Sequence, residues 1–219
     1  MIRIVTGTGL GVGKTVVSAV LARSDHAEGR NVAYLKTVQT GLRADQPGDA
    51  EFVRVAAVVN GAEGYRFESK FDPAIAAEQA ATTVSMDWLV NRTQAMAGTC
   101  DVLYVEGTGG FLTPLTDDFT MADLAVRLAA EVVIVTRAGL GTLNVAALTL
   151  DAVRIRALGF SGFVVNRWPE SPGVIERTTL TRLIRLGNVL GMLHEVDGLD
   201  THAPGLLPPT LELVPAPDR

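Results

Sequence analysis

TGTGLGVGKT, Thr6–Thr15, joins an apolar run, Ile2–Val5, to an amphipathic segment, Lys14–Ala22. Four glycines fall within seven residues, and a lysine and a threonine close the stretch. A dinucleotide loop requires Gly-x-Gly-x-x-Gly. Counted from Gly7 the third glycine falls on Val12, and counted from Gly9 it falls on Lys14, so that pattern fails. The strict phosphate loop is Gly-x-x-x-x-Gly-Lys-[Ser/Thr]. Gly13-Lys14-Thr15 supplies its end, but its first glycine should stand at Thr8, and Gly7 is one place early. The stretch therefore reads as a variant phosphate loop. Gly9, Gly11 and Gly13 let the backbone turn N–H groups onto an anion. The helix beginning near Lys14 adds its positive end. Lys14 is suited to neutralise outer phosphates, and the Thr15 hydroxyl to ligate Mg²⁺.

The rest of the chain bounds what such a loop serves. Its 219 residues are 47% apolar, 5% aromatic and 20% charged, so one domain with a large aliphatic core is expected. The net charge of −5 leaves no footprint for nucleic acid. Met121–Leu150 comes nearest to a membrane span, but Arg127, Glu131 and Arg137 interrupt it. The chain enters the Ile2–Val5 strand pattern without a signal-peptide layout, and Cys100 has no partner for an internal disulfide. A cytoplasmic protein is expected. Lysine is scarce: Lys14, Lys36 and Lys70 stand against sixteen arginines.

Short β-branched runs alternate with amphipathic segments. Strands are expected at Ile2–Val5, Val32–Leu35, Val102–Val105, Val132–Val135, Phe163–Val165 and Val189–Met192. Helices are expected at Lys14–Ala22, Asp49–Val59, Met86–Met96, Met121–Leu128, Thr142–Leu158 and Ile175–Leu186, with Gly159 as a helix stop. The rhythm implies an α/β fold with a doubly wound, mostly parallel sheet. Ligands then bind beyond the carboxyl ends of the strands. The segment from Pro204 onward is proline-rich and is expected to lack a long helix.

Those strand ends carry the remaining polar candidates. Lys36 sits just past the second strand in AYLKTVQTG. Asp49 reads as the N-cap of a helix starting near Ala50, or as a magnesium ligand. Glu106 follows four apolar residues, which is where a phosphate-loop enzyme keeps an acidic metal-organising residue. The alternative is a carboxylate paired with an arginine. Gly107, Gly109 and Gly110 after it permit close backbone approach. Gly141 and Thr142 open a helix whose free N–H groups suit an anion, or form an ordinary helix start. Asn166 reads a nucleobase edge or makes a turn. His26, His194 and His202 show no metal-ligand spacing.

Taken together these motifs resemble the dethiobiotin synthetases of biotin biosynthesis, from Ile2 to about Val196. The likeness rests on TGT…VGKT, LK-x-VQTG, GDAEFV, VEGTGGFLTPL, GLGTLN and VVN…P, in that order and spacing. It implies a P-loop NTPase-like single domain over 1–219 and a homodimer using ATP and Mg²⁺. The implied reaction closes a cyclic urea from 7,8-diaminononanoate and CO₂. By that resemblance Gly11, Val12, Gly13, Lys14, Thr15 and Val16 hold the nucleotide phosphates, and Thr15, Asp49 and Glu106 organise the metal. Gly107, Thr108 and Gly109 approach the nucleotide. Asn166, Arg167, His194, Glu195 and Val196 line the base pocket. Lys14 and Lys36 are the catalytic cations. Thr8 and Thr40 touch the diamine or its carbamate, and Thr142, Leu143 and Asn144 of a neighbouring subunit receive its carboxylate.

The sequence departs from that family at definite places. Gly9 and Leu10 replace an Asp-Thr pair, Thr37 replaces a proline, and Arg167 follows Asn166. Two other readings compete. Partition- and division-type ATPase switches share the loop branch but carry a further lysine where this chain has Gly9. A non-catalytic nucleotide-binding sensor would have no need to keep Lys14, Lys36, Asp49 and Glu106 together.

Overall fold

A computed structural model describes residues 1–196 and Glu212. The elements run β1 (Ile2–Gly7), α1 (Lys14–Ala27), β2 (Val32–Thr40), α2 (Asp49–Ala57), β3 (Asn60–Phe67), α3 (Pro73–Gln79) and α4 (Met86–Ala97). They continue as β4 (Val102–Glu106), α5 (Met121–Arg127), β5 (Glu131–Arg137), α6 (Thr142–Ile155), β6 (Gly159–Trp168), α7 (Val174–Leu186) and β7 (Val189–His194). The strands form one seven-stranded sheet in the order β3-β2-β4-β1-β5-β6-β7, with every neighbouring pair parallel. The fold is the doubly wound α/β class expected. No helix among the described residues is long and apolar enough to cross a membrane. The proline-rich segment from Pro204, apart from Glu212, lies outside the described residues.

Helices cover both faces, which explains the continuous apolar runs. On one face Ile4, Leu35, Leu103, Ile134 and Val165 pack against α3 to α7. On the other Val5, Tyr34, Tyr104, Val133 and Val164 pack against α1 and α2. The alternation is the period of two along each strand. It also sends Lys36 and Glu106 toward α1, since each stands two residues beyond a tyrosine of that face and the two pair across β2 and β4.

The far end of α1 has its own anchor. Buried Asp25 accepts from Tyr104 Oη at 2.7 Å, Arg3 Nη1 at 3.2 Å and Arg30 Nη1 at 2.7 Å. One face of β4 thus holds both ends of α1, through Tyr104 and, at the loop, through Glu106.

Several boundaries differ from the sequence expectation, and the omission of β3 accounts for the end of β2. β3 reads NGAEGYRF, whose two glycines and two charges hide an edge strand. Once β3 is present, β2 continues to Thr40 along it, past the end of β4. Lys36 therefore lies within β2, not after it. α3 was also unanticipated, being only seven residues behind Pro73. Gly159 begins β6 and does not stop α6; Ala157, in the left-handed region at φ 54°, does. Asp49 is not an N-cap: Gly48 holds that place with no side-chain bond, because the Asp49 carboxylate is drawn to Lys36.

At Gly64 an added Cβ would run into the Thr37 carbonyl oxygen of β2. Backbone cannot yield as a side-chain tip does, so Gly64→Ala should push β3 off its partner. We predict a loss of about 1–3 kcal/mol in urea unfolding, the range for an overpacked site. An unchanged midpoint would show that β3 is not held at this spacing.

Candidate active site

The order of the strands puts β1 between the two halves of the sheet, so the loop after β1 sits at the switch point where ligands bind. Gly11 and Gly13 take φ of 64° and 93°, and Gly13 serves as the N-cap of α1. Side chains engage the loop carbonyls. Lys14 Nζ donates to Gly9 O at 3.3 Å, Asn166 Nδ2 to Val12 O at 2.9 Å, and Arg137 Nη2 to Gly11 O. With these carbonyls occupied, the loop has N–H groups to spare for an anion.

Beside the loop lies a buried polar cluster. Glu106, with no exposed surface, accepts on Oε1 from Thr15 Oγ1 at 2.8 Å and Lys36 Nζ at 2.7 Å. On Oε2 it accepts from Ser18 Oγ and Tyr34 Oη, both at 2.9 Å. Lys36 Nζ also meets Asp49 Oδ2 at 2.6 Å, bridging the two carboxylates. Glu106 is thus paired with a lysine and not with an arginine. Burial alone would lower the Lys36 pKa, but Asp49 and Glu106 hold it above the ordinary lysine value. Burial opposes ionisation of Asp49, and Lys36 overcomes it to keep that carboxyl below its usual range. Among the described residues Lys14 has no such pairing. Burial pushes it down to about 8, Glu106 opposes, and Lys36 adds to the depression. An anion at the loop would supply the charge that Lys14 lacks.

These groups line a cleft of about 590 Å³. Gly11, Gly13, Lys14, Thr15 and Val16 form its floor, with Lys36, Thr40, Asp49, Glu106, Thr108 and Gly109 on the β2–β4 side. Asn166, Arg167, His194, Glu195 and Val196 close the β6–β7 side. Val12 and Gly107 adjoin it through backbone contacts, with Gly107 O 3.5 Å from Lys36 Nζ. Thr8 does not reach it; its hydroxyl lies 3.2 Å from that of Thr136. Thr142, Leu143 and Asn144 stand outside, on the first turn of α6. Thr142 is buried and donates to Arg137 O at 2.7 Å, while Leu143 and Asn144 are exposed.

A hard cation fits the donor set. Thr15, Asp49 and Glu106 offer only oxygens, and Mg²⁺ takes one or two carboxylates together with phosphate oxygens. Among the described residues no group of three His, Cys, Asp or Glu side chains is placed to hold a metal without such help.

Five contributors escaped the sequence reading. Tyr34 shares the face of Lys36 two residues on, and Ser18 stands one helical turn from Thr15, so periodicity could have found both. Arg137 ends β5, where the strand-end rule points. Gln39 stands within LK-x-VQTG and Leu10 within the loop, but neither was given a role of its own, although Gln39 is buried and accepts from the Asp49 N–H at 3.0 Å.

A family model described as an AAA domain matches residues 3–203. The ATP-dependent dethiobiotin synthetase BioD of Streptomyces avermitilis is 41% identical over 219 residues, covering 95% of this chain and 92% of that protein. The one from Saccharopolyspora erythraea is 41% identical over 206 residues, covering 92% and 91%. Among solved structures, the MinD cell division protein of Aquifex aeolicus superimposes with a TM-score of 0.59 at 13% identity, covering 94% of this chain and 87% of that one. The cell division ATPase MinD of Pyrococcus furiosus gives 0.55 at 18%, covering 89% and 83%. At such identities these structures speak for the fold alone.

Tyr34→Phe tests the buried cluster. It removes one of the four donors to Glu106 and leaves the ring in place. Stability should fall by about 1.5–3 kcal/mol, as for a hydrogen bond to a charged group. Unaltered denaturant unfolding would mean that Oε2 does not depend on Tyr34.

Proposed function

Since the chain belongs to the dethiobiotin synthetase family, and is thereby an ATP-dependent ligase of biotin biosynthesis, we propose that the cleft after β1 closes the urea ring through a carbamate and a mixed anhydride. The observation that carries this reading is the pair of buried lysines, Lys14 at 7% and Lys36 at 4% exposure, lining one cleft with the loop. A binding domain gains nothing from burying two ammonium groups together, whereas a reaction that gathers phosphates and a carbamate needs them.

One amine of 7,8-diaminononanoate adds CO₂ and loses a proton, giving a carbamate. A carbamate oxygen attacks the γ-phosphorus of ATP; the bond to the β–γ bridging oxygen breaks and ADP leaves. The second amine attacks the carbonyl carbon of the mixed anhydride. Phosphate departs, the attacking nitrogen gives up a proton to it, and dethiobiotin forms. Each stage concentrates negative charge, so positioning and electrostatic stabilisation do most of the work.

The roles follow from position. Gly11–Val16 bind the phosphates, and Lys14 leaves Gly9 O to neutralise them. Lys36 faces the carbamate and the transferring phosphoryl group, and Thr40 borders the same space. Thr15, Asp49 and Glu106 would hold Mg²⁺, which when bound offsets charge on the β- and γ-phosphate oxygens. Gly107–Gly109 give the backbone room beside the phosphates. Asn166, Arg167 and residues 194–196 flank the base. Thr8, whose hydroxyl is turned to that of Thr136, supports the loop from beneath. The start of α6 lies outside the cleft of its own chain, which supports its serving the cleft of a second copy: Leu143 and Asn144 would take the substrate carboxylate on their N–H groups. The working unit is then a homodimer of single P-loop domains in the cytoplasm, where ATP is supplied. The MinD-like switch reading keeps only the shared fold, and Gly9 lacks the lysine it requires.

Phosphate release should need ATP, bicarbonate and the diamine together. Release that persists without the diamine would instead mark an ATPase. Lys36→Gln should abolish dethiobiotin formation while ATP still binds in calorimetry; turnover by that variant removes Lys36 from the reaction. Light scattering should give a dimer at assay concentrations, and an active monomer would sink the shared-site arrangement.

A further inference from the structure

Of the two arginines that flank the loop on the β5–β6 side, Arg137 has no role in the reaction and Arg167 only borders the base. Arg137 is the last residue of β5 and pairs in register with Asn166 of β6. Its Nη2 donates to Gly11 O, and its Nε is buried with no hydrogen-bond partner among the described residues. Arg167, the next residue along β6, lines the cleft. It holds a left-handed backbone, φ 55°, where the β6–β7 register breaks between Val165 and Trp168. That conformation suits glycine and is unfavourable for arginine.

The two guanidinium groups also oppose each other. Burial lowers the Arg137 pKa, the Arg167 charge lowers it further, and Glu195 only partly offsets them. Among the described residues neither arginine has a carboxylate within ion-pair distance. Arg167 is exposed and Arg137 half-buried, so water screens the repulsion; what remains is two cations beside an anion-binding loop, one with a buried Nε that lacks a partner among the described residues and one on a strained backbone. On the opposite side of β1, Lys36 is already neutralised by Asp49 and Glu106.

We propose that Arg137 and Arg167 form a phosphate clamp: they grip the nucleotide's polyphosphate from the β5–β6 side and supply, within the same chain, the positive charge that Gly9 does not. Arg137 spends one donor turning the Gly11 carbonyl away and keeps the rest of its fork for phosphate oxygens. The clamp rests on the reading of the cleft as the nucleotide site.

The test measures binding of ATP and of inorganic tripolyphosphate by calorimetry. Arg137→Gln and Arg167→Gly should each weaken both ligands about 10- to 100-fold, the range for charged hydrogen bonds. The double variant should lose less than the product of the two, because both groups hold one anion. Arg167→Gly should bind more weakly yet unfold no earlier than the parent, since glycine accepts the left-handed turn; a merely structural role would lower both. Parent-like affinity in Arg167→Gly overturns the clamp, and so does a loss confined to ATP, which would mark a base contact. If Arg137→Gln fails to fold, Arg167→Gly decides alone. Lys14→Gln separates the two readings. If it binds ATP like the parent, the nucleotide site itself is misplaced; if it loses ATP while the arginine variants do not, only the clamp fails.

Discussion

A carboxylate with no exposed surface organises this protein. Glu106 ends the strand beside β1, and burying its charge is tolerable only because four donors converge on it. Two come from α1 and two from β2, so the loop-bearing helix and the sheet are fixed to each other through one residue. Lys36 extends the arrangement to Asp49 and the start of α2. The same bonds that secure α1 also set the lysines and the oxygen donors around one cleft. Folding and the preparation of the site are here a single electrostatic problem, and each donor counts toward both.

The loop shows how departures from a motif can be accommodated. Gly9 and Leu10 carry no polar side chain, and Leu10 is largely exposed. The groups that hold the loop come instead from elsewhere: Asn166 and Arg137 reach in from β6 and β5, and Lys14 folds back from α1. A loop built this way keeps its shape through long-range contacts, which a local motif does not encode.

How much was readable follows from where the information lay. The central strands were legible because burial on both faces demands continuous apolar runs. Lys14, Thr15, Asp49 and Glu106 were legible because the carboxyl ends of such strands are few. β3 was not, since an edge strand covered on one side tolerates Asn60, Glu63 and Arg66, and its glycines serve close approach to β2 and α2. Missing it ended β2 at Leu35 instead of Thr40 and put Lys36 just past the strand instead of within it. The Asp49 cap was misread because a local preference, an acidic residue at a helix start, yielded to an ion pair with a residue thirteen positions earlier. Tyr34 and Ser18 went unread although their spacing held the signal, because hydroxyls on an apolar face look like ordinary core residues until their acceptor is known.

The two carboxylates that hold α1, Glu106 at its first turn and Asp25 at its last, bear on how the protein handles nucleotide energy. Both meet β4: Glu106 ends that strand, and Asp25 accepts from its Tyr104. A displacement of α1 along its axis would have to break bonds at both of its ends together, each a hydrogen bond to a charged group and so about 1.5–3 kcal/mol. Nucleotide binding would have to meet that cost before the helix could shift.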